Sequence, residues 1–379
     1  MKVVLTGDFS PCRNFERIVL EKKEQVFGEL LPIILSADLS FTNLECPLTI
    51  NNKSINKSGP ALKANPECVN ALMPFSVIGL ANNHILDFGR KGLEDTLDAC
   101  HSNGLPTVGA GLNLAQAQTP FIHEINGFKV AIIAIAEHEF NQSENGGAGS
   151  APIDPIDNYR QIQEAKAKAD VVIITIHGGN EYFPYPRPGL RKLCKYFIDV
   201  GAEAVICHHP HVPGAYEYYQ GKPIVYSLGN LIFDTINPPK DWDLGYLAQL
   251  KFSFDSKKFE SMELIPYKQS IEFGEIRLLR DEEKTKLLNK LEIYKENINS
   301  EQSWLREWEN FVARQANSYI LRQFFPINFR GLGFLSRITP IVKFFFRKNQ
   351  MDKLNILRCQ SHRELLISVL EGKVHPRND

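Results

Sequence analysis

The sequence predicts an α/β protein with largely parallel strands. Short, continuously apolar and β-branched stretches recur along the chain, as in strands that are buried on both faces. Amphipathic helical patterns separate these stretches, and such alternation is typical of parallel α/β architecture. A chain of 379 residues is long for one hydrophobic core, which indicates one large domain with an appendage, or two domains.

The clearest strands are the apolar segments 2–6, 38–43, 75–81, 128–136, 170–177 and 203–208. A helix is predicted over 90–103, and another over 157–168 with Asp157 as its N-cap. A hairpin is predicted around Gln220–Gly221, followed by strands near 246–254 and 260–266.

The character of the sequence changes near residue 276, so we predict a domain over 1–275 and a helical region over 276–379. Helices are expected at 281–299 and 301–324. Between 310 and 351 there is no acidic residue, yet seven Lys or Arg interleave with phenylalanines. This segment either packs its aromatic side chains on the main domain or contacts an anionic membrane surface or a synthase.

Composition limits the possible partners and compartments. The net charge of −1 gives no sign of a nucleic-acid binder. The seven cysteines are dispersed without any C-x-x-C pair, which favours reduced thiols. No uninterrupted apolar run reaches 18 residues. We therefore expect a cytoplasmic protein, peripheral to the inner membrane face if the basic segment binds lipid.

Polar residues follow the predicted strands at their carboxyl ends, which share one edge in a parallel sheet. The polar residues at this edge are Asp8, Asn43, Glu45, Asn82, Asn83, His84, His177, His208, His209 and His211, of which we expect His209 and His211 to hold a metal. Carboxylate, amide and imidazole donors together suit Mn²⁺, Fe²⁺ or Zn²⁺. Two such ions about 3.5–4 Å apart would activate a water and clamp a phosphate, although one ion alone remains an alternative. For His208, a structural role and metal binding stay equally open.

Four further residues are expected to contact a substrate. Glu181 lies shortly after His177 and would meet an imidazole or a substrate group. Arg187 could pair with a phosphate or carboxylate, or lie on the surface beside two prolines. Ser227 and Asn230 stand in "YSLGN", where a glycine turn would bring backbone N–H groups near an anion.

The motifs "GDFS", "NLECPLT", "GLANNHILDFGRKGL", "HGGNEYFPYP" and "HHPHVPGAYEYYQGKPIVYSLGN" occur in an order that resembles the CapA family. That family is named for capsule and poly-γ-glutamate synthesis and is related to the calcineurin-like metallophosphoesterases. The resemblance covers about residues 1–270. It implies a metallophosphatase-like four-layer α/β/β/α sandwich with a C-terminal helical extension.

The resemblance also implies a role for each matching residue. Asp8 opens the metal signature, Glu45 stands where a carboxylate bridges the metals, and Asn83 is the amide ligand. His84 is the catalytic histidine that contacts the phosphate and assists the leaving group, while the imidazole ligands are His177, His209 and His211. Ser10 stands where the wider superfamily has histidine, and Glu45 replaces an aspartate, so one metal position is expected to be weaker or empty.

These observations support two main functional hypotheses. The first is a metal-dependent hydrolase with one or two divalent ions that acts on a phosphoester, or on a related bond of a cell-envelope polymer or its precursor. The second is a non-catalytic accessory protein that binds an anionic polymer in the same pocket. Amide-bond chemistry on glutamyl polymers is a third possibility for a dinuclear site.

Overall fold

The computed structural model describes residues 1–143, 146–324 and 350–370. Within these residues, two β-sheets face each other and helices cover the outer face of each sheet. The protein is therefore a four-layer α/β/β/α sandwich of the metallophosphatase type, and the predicted fold class is confirmed.

The strands of the described residues are, in chain order, β1 (Lys2–Ser10), β2 (Leu39–Leu44), β3 (Val77–Gly79), β4 (Thr107–Val108), β5 (Ala110–Gly111), β6 (Phe121–Ile125), β7 (Phe128–Ala136), β8 (Gly149–Ser150), β9 (Val171–His177), β10 (Ala204–His208), β11 (Tyr216–Tyr219), β12 (Lys222–Val225), β13 (Asn230–Phe233), β14 (Leu244–Phe252), β15 (Phe259–Ser270) and β16 (Glu275–Leu278).

The helices are α1 (Asn14–Lys22), a 3₁₀ helix (Lys23–Leu30), α2 (Leu31–Leu35), a second 3₁₀ helix (Pro66–Leu72), α3 (Gly89–Ser102), α4 (Leu114–Ala117), α5 (Pro155–Lys166), α6 (Pro188–Asp199), α7 (Asp281–Asn299), α8 (Glu301–Phe324) and α9 (Gln360–Leu370). A further helical stretch covers 350–358.

The first sheet has eight strands in the order β16-β15-β14-β1-β2-β3-β4, and β13 also pairs with β1. Strands β1 to β4 and β13 run parallel, whereas β14 to β16 form an antiparallel extension. The second sheet has the order β11-β12-β10-β9-β7-β6, with a parallel centre and antiparallel edges. Strands β5 and β8 form a separate short pair.

The continuously apolar strands follow from this layering. Successive side chains of a strand point to opposite faces. In β1, Val3 and Leu5 join the apolar layer between the sheets, while Val4 packs under the outer helices. In β9, Ile173 faces the first sheet and Ile174 faces the helices over the second sheet. Both faces of these central strands are therefore removed from water, and neither face needs a polar residue.

Every predicted strand and helix has a counterpart among the described residues, with ends that differ by up to four residues. The strand 128–136 and the helices 281–299 and 301–324 are confirmed with the expected bounds. The prediction that Asp157 caps its helix is wrong. Helix α5 starts two residues earlier, at Pro155, and the side chain of Asp154 accepts hydrogen bonds from the N–H groups of Ile156 and Asp157.

The described C-terminal helices pack on the sandwich. Leu287 and Leu291 of α7 join the layer between the sheets. Trp304 and Trp308 of α8 and Leu365 of α9 join the helical layer over the second sheet. The predicted domain boundary stays a prediction, and most of the predicted basic and aromatic segment 310–351 lies outside the described residues.

No helix within the described ranges combines the length and the apolar character that a bilayer crossing requires.

Candidate metal centre

The six predicted ligands, Asp8, Glu45, Asn83, His177, His209 and His211, are buried together at the carboxyl edge of the strands. The two sheets contribute different chemistry to this cluster. The first sheet supplies the carboxylates and the amide, through β1 and the segments after β2 and β3. The second sheet supplies the three imidazoles, through the end of β9 and the segment after β10. The spacing between the sheets therefore decides whether the donors meet.

The first half of the cluster is centred on Nε2 of His177. This atom lies 3.0 Å from Oδ1 of Asn83, 3.1 Å from Nδ1 of His209 and 3.5 Å from Oε1 of Glu45. One ligand atom from each of Glu45, His177 and His209 lies within 4.8 Å of the others. This spacing is short enough for one ion to contact all three residues.

The second half of the cluster uses the same glutamate. Nε2 of His211 lies 3.6 Å from Oε1 of Glu45, and its Nδ1 lies 3.6 Å from Oδ2 of Asp8. Nδ1 of His211 also donates to Oδ1 of Asn230, at 3.0 Å, which fixes the orientation of the ring. Glu45 is thus common to both groups, the position expected of a bridging carboxylate.

The environment of Glu45 indicates whether a cation fits between the two groups of candidate ligands. Its side chain is fully buried, and neither carboxylate oxygen has a hydrogen-bond partner among the described residues. Burial, and then the neighbouring Asp8, raise the pKa of Glu45 well above its usual value. A buried carboxylate without a partner costs several kcal/mol. Divalent cations between Glu45 and the surrounding donors would remove this cost, and the donor set suits Mn²⁺, Fe²⁺ or Zn²⁺.

Two of the imidazoles, those of His177 and His211, are in the neutral form that binds metals. Burial, followed by the charge of His209, lowers the pKa of His177 well below its usual value. Burial likewise lowers the pKa of His211, to about 4. Both rings are therefore neutral near pH 7, as a metal ligand must be.

Asp8 is held by contacts that the motif alone did not predict. It accepts hydrogen bonds from Nδ2 of Asn43 at 2.7 Å and from the N–H of His209 at 3.1 Å. Although burial alone would raise the pKa of Asp8, the histidines around it, with His208 first, keep that pKa below its usual value. Asn43 Nδ2 also lies 3.1 Å from Nδ1 of His177, so this amide spans the two sheets.

The glycine before Asp8 is required by a close approach of two strands. A Cβ on Gly7 would lie 2.0 Å from the carbonyl oxygen of Gly229, which precedes β13. Only glycine therefore allows β1 to approach this segment and bring Asp8 into the centre.

Backbone strain accompanies the two histidines that follow β10. His209 and His211 have φ values of 97° and 60°, a region that residues other than glycine seldom adopt. Such conformations persist where surrounding contacts enforce them, and they concentrate at functional sites. Here they accompany the approach of both rings to Glu45.

His84 is oriented by a carboxylate and a lysine. Its Nδ1 lies 2.6 Å from Oδ2 of Asp87, so Nε2 is the ring nitrogen left for other contacts. Nζ of Lys57 donates to Oδ1 of Asp87 at 2.6 Å and to the carbonyl oxygen of Asn83 at 3.1 Å. Burial, and then Lys57, lower the pKa of His84. Lys57 lies in an irregular segment, and nothing in its sequence context indicated this role.

The four predicted substrate residues occupy different environments. Glu181 is exposed, and its charge acts to raise the pKa of both Glu45 and His211. Arg187 is buried and ion-paired with Glu137 and Glu364, so the structure does not bring it to the ligands. Ser227 donates to the carbonyl oxygen of Val212 at 2.7 Å. Asn230, as described above, supports His211.

His208 lies beside the ligands rather than among them. Its Nδ1 is 3.3 Å from Oδ1 of Asp8 but is not aligned for a hydrogen bond. The ring packs near Phe41, with the ring centres 5.8 Å apart.

The two-sheet sandwich therefore places a buried carboxylate between two groups of candidate metal ligands. The sequence of residues 2–235 matches the family described as bacterial capsule synthesis protein PGA_cap. The chain belongs to this family.

Similar proteins carry related names. The chain is 34% identical over 236 residues to the PGA biosynthesis protein CapA of Bacillus subtilis, a match that covers 60% of this chain and 62% of that protein. It is 32% identical over 251 residues to the capsule biosynthesis protein CapA of Bacillus anthracis, covering 62% and 60%. The matched part is thus less than two thirds of each relative.

Among solved structures, the calcineurin-like phosphoesterase YfkN of Bacillus subtilis aligns with a TM-score of 0.40 and 16% identity. That alignment covers 81% of this chain and 98% of the solved one. The NAD nucleotidase of Haemophilus influenzae aligns with a TM-score of 0.41 and 14% identity, covering 77% and 55%.

We predict that Mn²⁺ stabilises the native protein and that Glu45→Gln removes most of this effect. A free Mn²⁺ concentration of ~100 times Kd should add ~2.7 kcal/mol to the free energy of unfolding. The amide carries no charge and is a poor bridge between two cations. Urea unfolding with EDTA and with Mn²⁺ measures the difference. Glu94→Gln, on the surface of α3, is the matched control and should respond like the native protein. Equal stabilisation of Glu45→Gln would contradict the assignment.

Proposed function

We propose that the protein is a metal-dependent hydrolase that acts on a phosphoester, or on a related bond of a capsule or polyglutamate polymer or its precursor. The observation that supports this proposal most strongly is the buried, partnerless carboxylate of Glu45 between two groups of metal-ligating atoms. The names of the relatives, which refer to capsule and PGA synthesis, support the biological setting.

In this proposal, Glu45, His177, His209 and Asn83 would hold one ion, and Glu45, Asp8 and His211 would hold another. When bound, the ions would polarise a phosphoryl oxygen and neutralise charge that develops on it. The protonated ring of His84 would donate its Nε2 proton to the leaving oxygen and would be left neutral. Asp87 holds the opposite ring nitrogen, and Lys57 holds Asp87, so the imidazole keeps its orientation during the reaction.

We predict that His84→Ala lowers kcat on an aryl phosphodiester by about 10²–10⁴-fold, the usual contribution of a general acid or base. Mn²⁺ affinity should not change, because His84 is not assigned as a ligand. Steady-state kinetics and a Mn²⁺ titration measure the two quantities. His101→Ala, an exposed histidine at the end of α3, is the control and should retain native kcat. Turnover that survives in His84→Ala, or that the control loses equally, would argue against the role of His84.

The second candidate is a non-catalytic accessory protein that binds an anionic polymer at the same pocket. Ser10 favours it, because this buried hydroxyl lies 3.4 Å from the carbonyl oxygen of Glu45, where the wider superfamily has a histidine ligand. A Mycobacterium tuberculosis relative, 29% identical over 225 residues, is named a probable polyglutamine synthesis accessory protein. Bound Mn²⁺ without any turnover attributable to His84 would favour this candidate over the hydrolase.

We propose a cytoplasmic location with contact between segment 310–351 and an anionic membrane surface. The interleaved basic and aromatic residues support it, as do seven cysteines that are all free and buried. The full chain should sediment with vesicles that contain anionic lipid and stay in the supernatant with neutral vesicles or at high salt. A variant with Arg314, Arg322, Arg330 and Arg337 changed to Gln should lose the sedimentation. Equal sedimentation with anionic and with neutral vesicles would contradict this contact.

A further inference from the structure

The C-terminal helix α9 lies against the metal centre, although its residues are outside the part of the chain that matches the family. Helix α9 contacts two glutamates, Glu137 and Glu139, in the segment that follows β7. The N–H of Ser361 donates to Oε2 of Glu137 at 3.1 Å. Nε2 of His362 lies 3.0 Å from Oε1 of Glu139. Glu364 pairs with Arg187 and accepts from the N–H of Gly189.

The contact between His362 and Glu139 is connected to the ligand cluster through Asn83. The second oxygen of Glu139, Oε2, accepts a hydrogen bond from Nδ2 of Asn83 at 3.0 Å. The other end of the Asn83 amide, Oδ1, lies 3.0 Å from Nε2 of His177. His362, Glu139 and Asn83 therefore form a chain of contacts that starts on α9 and ends among the ligands.

An amide side chain needs such an anchor to act as a ligand. Its oxygen and nitrogen ends are nearly equal in shape, and only the oxygen can bind a cation. A carboxylate on the nitrogen end selects the orientation that directs Oδ1 of Asn83 inward. A residue that holds this carboxylate in turn limits its movement, and the loss of such outer contacts commonly weakens metal binding.

We infer that His362 is a positioning residue for the metal centre, which acts through Glu139 to orient the Asn83 amide toward the ion. The inference rests on the proposed function, because the orientation of Asn83 matters only if the centre holds a metal. It makes the C-terminal helix part of the site and not only a cover over the second sheet.

The charges of the pair are consistent with this role. Burial would raise the pKa of Glu139, but His362 and other neighbours lower it well below its usual value. Burial would lower the pKa of His362, but Glu139 raises it. The carboxylate is thus kept as an acceptor for Asn83.

A second contact of helix α9, the ion pair between Glu364 and Arg187, holds the helix in place but does not extend to Asn83. It therefore provides a control for the contact of His362. Glu364 pairs with Arg187, which pairs with Glu137 in turn. A variant of Glu364 therefore loosens the attachment of the helix while it leaves the contact between His362 and Glu139 in place. This pair of residues separates positioning of a ligand from simple attachment of the helix.

The test is the Mn²⁺ affinity of the full chain, measured by the loss of the free-ion signal in electron paramagnetic resonance. His362→Ala should weaken Mn²⁺ binding about 10–100-fold. His362→Gln should restore affinity close to native, because the amide nitrogen of glutamine can donate to Glu139 from a similar position. Glu364→Gln should bind Mn²⁺ like the native chain even where its thermal unfolding temperature falls.

Native affinity in His362→Ala would overturn the inference, as would an equal loss in His362→Ala and Glu364→Gln. Failure of His362→Gln to restore binding would also count against it. If the native chain binds no Mn²⁺, both this inference and the proposed function fail. If it binds Mn²⁺ but hydrolyses nothing, the hydrolase proposal fails while the affinities of the variants still decide the role of His362.

Discussion

The structure depends on one buried charge. Glu45 has no access to water, and neither of its oxygens has a hydrogen-bond partner among the described residues. Removing an ionised carboxylate from water without compensation costs several kcal/mol, so a folded protein tolerates such a group only if it takes up a proton or a cation neutralises it. The donors around Glu45 point to a cation as the compensating group. The placement of Asp8, His177, His209 and His211 follows from the same requirement.

The layered fold meets this requirement by assigning different donors to different sheets. Carboxylates and the amide come from the first sheet, and imidazoles come from the second. The apolar layer between the sheets, with Leu5 and Ile173 among its members, therefore also sets the distance between the two kinds of ligand. Near the site, two segments approach so closely at Gly7 that no side chain fits there. The backbone of His209 and His211 adopts strained positive φ values. The geometry of the candidate metal centre and the packing of the core are linked through this spacing.

The strands could be predicted from local patterns in the sequence, and so could the shared sheet edge on which the candidate ligands lie. Apolar runs mark β7 and β9, and polar residues after such runs mark a shared sheet edge. The residues that support the candidate ligands from other parts of the chain are not marked by a local sequence pattern of this kind. Lys57 comes from an irregular segment, and His362 approaches from a helix near the end of the chain. The contact of Arg187 with substrate stays a prediction, and its ion pair with Glu364 joins residues 177 positions apart, a distance that no local sequence signal encodes.

The most direct test of the central claim is an anomalous-scattering map from a crystal of the full chain grown with Mn²⁺. We expect density for an ion beside Glu45, enclosed by His177 and His209, and a second and weaker one on the side of Asp8 and His211. Density only at the neighbouring group formed by Glu139, Cys359 and His362, or none at Glu45, would contradict the account.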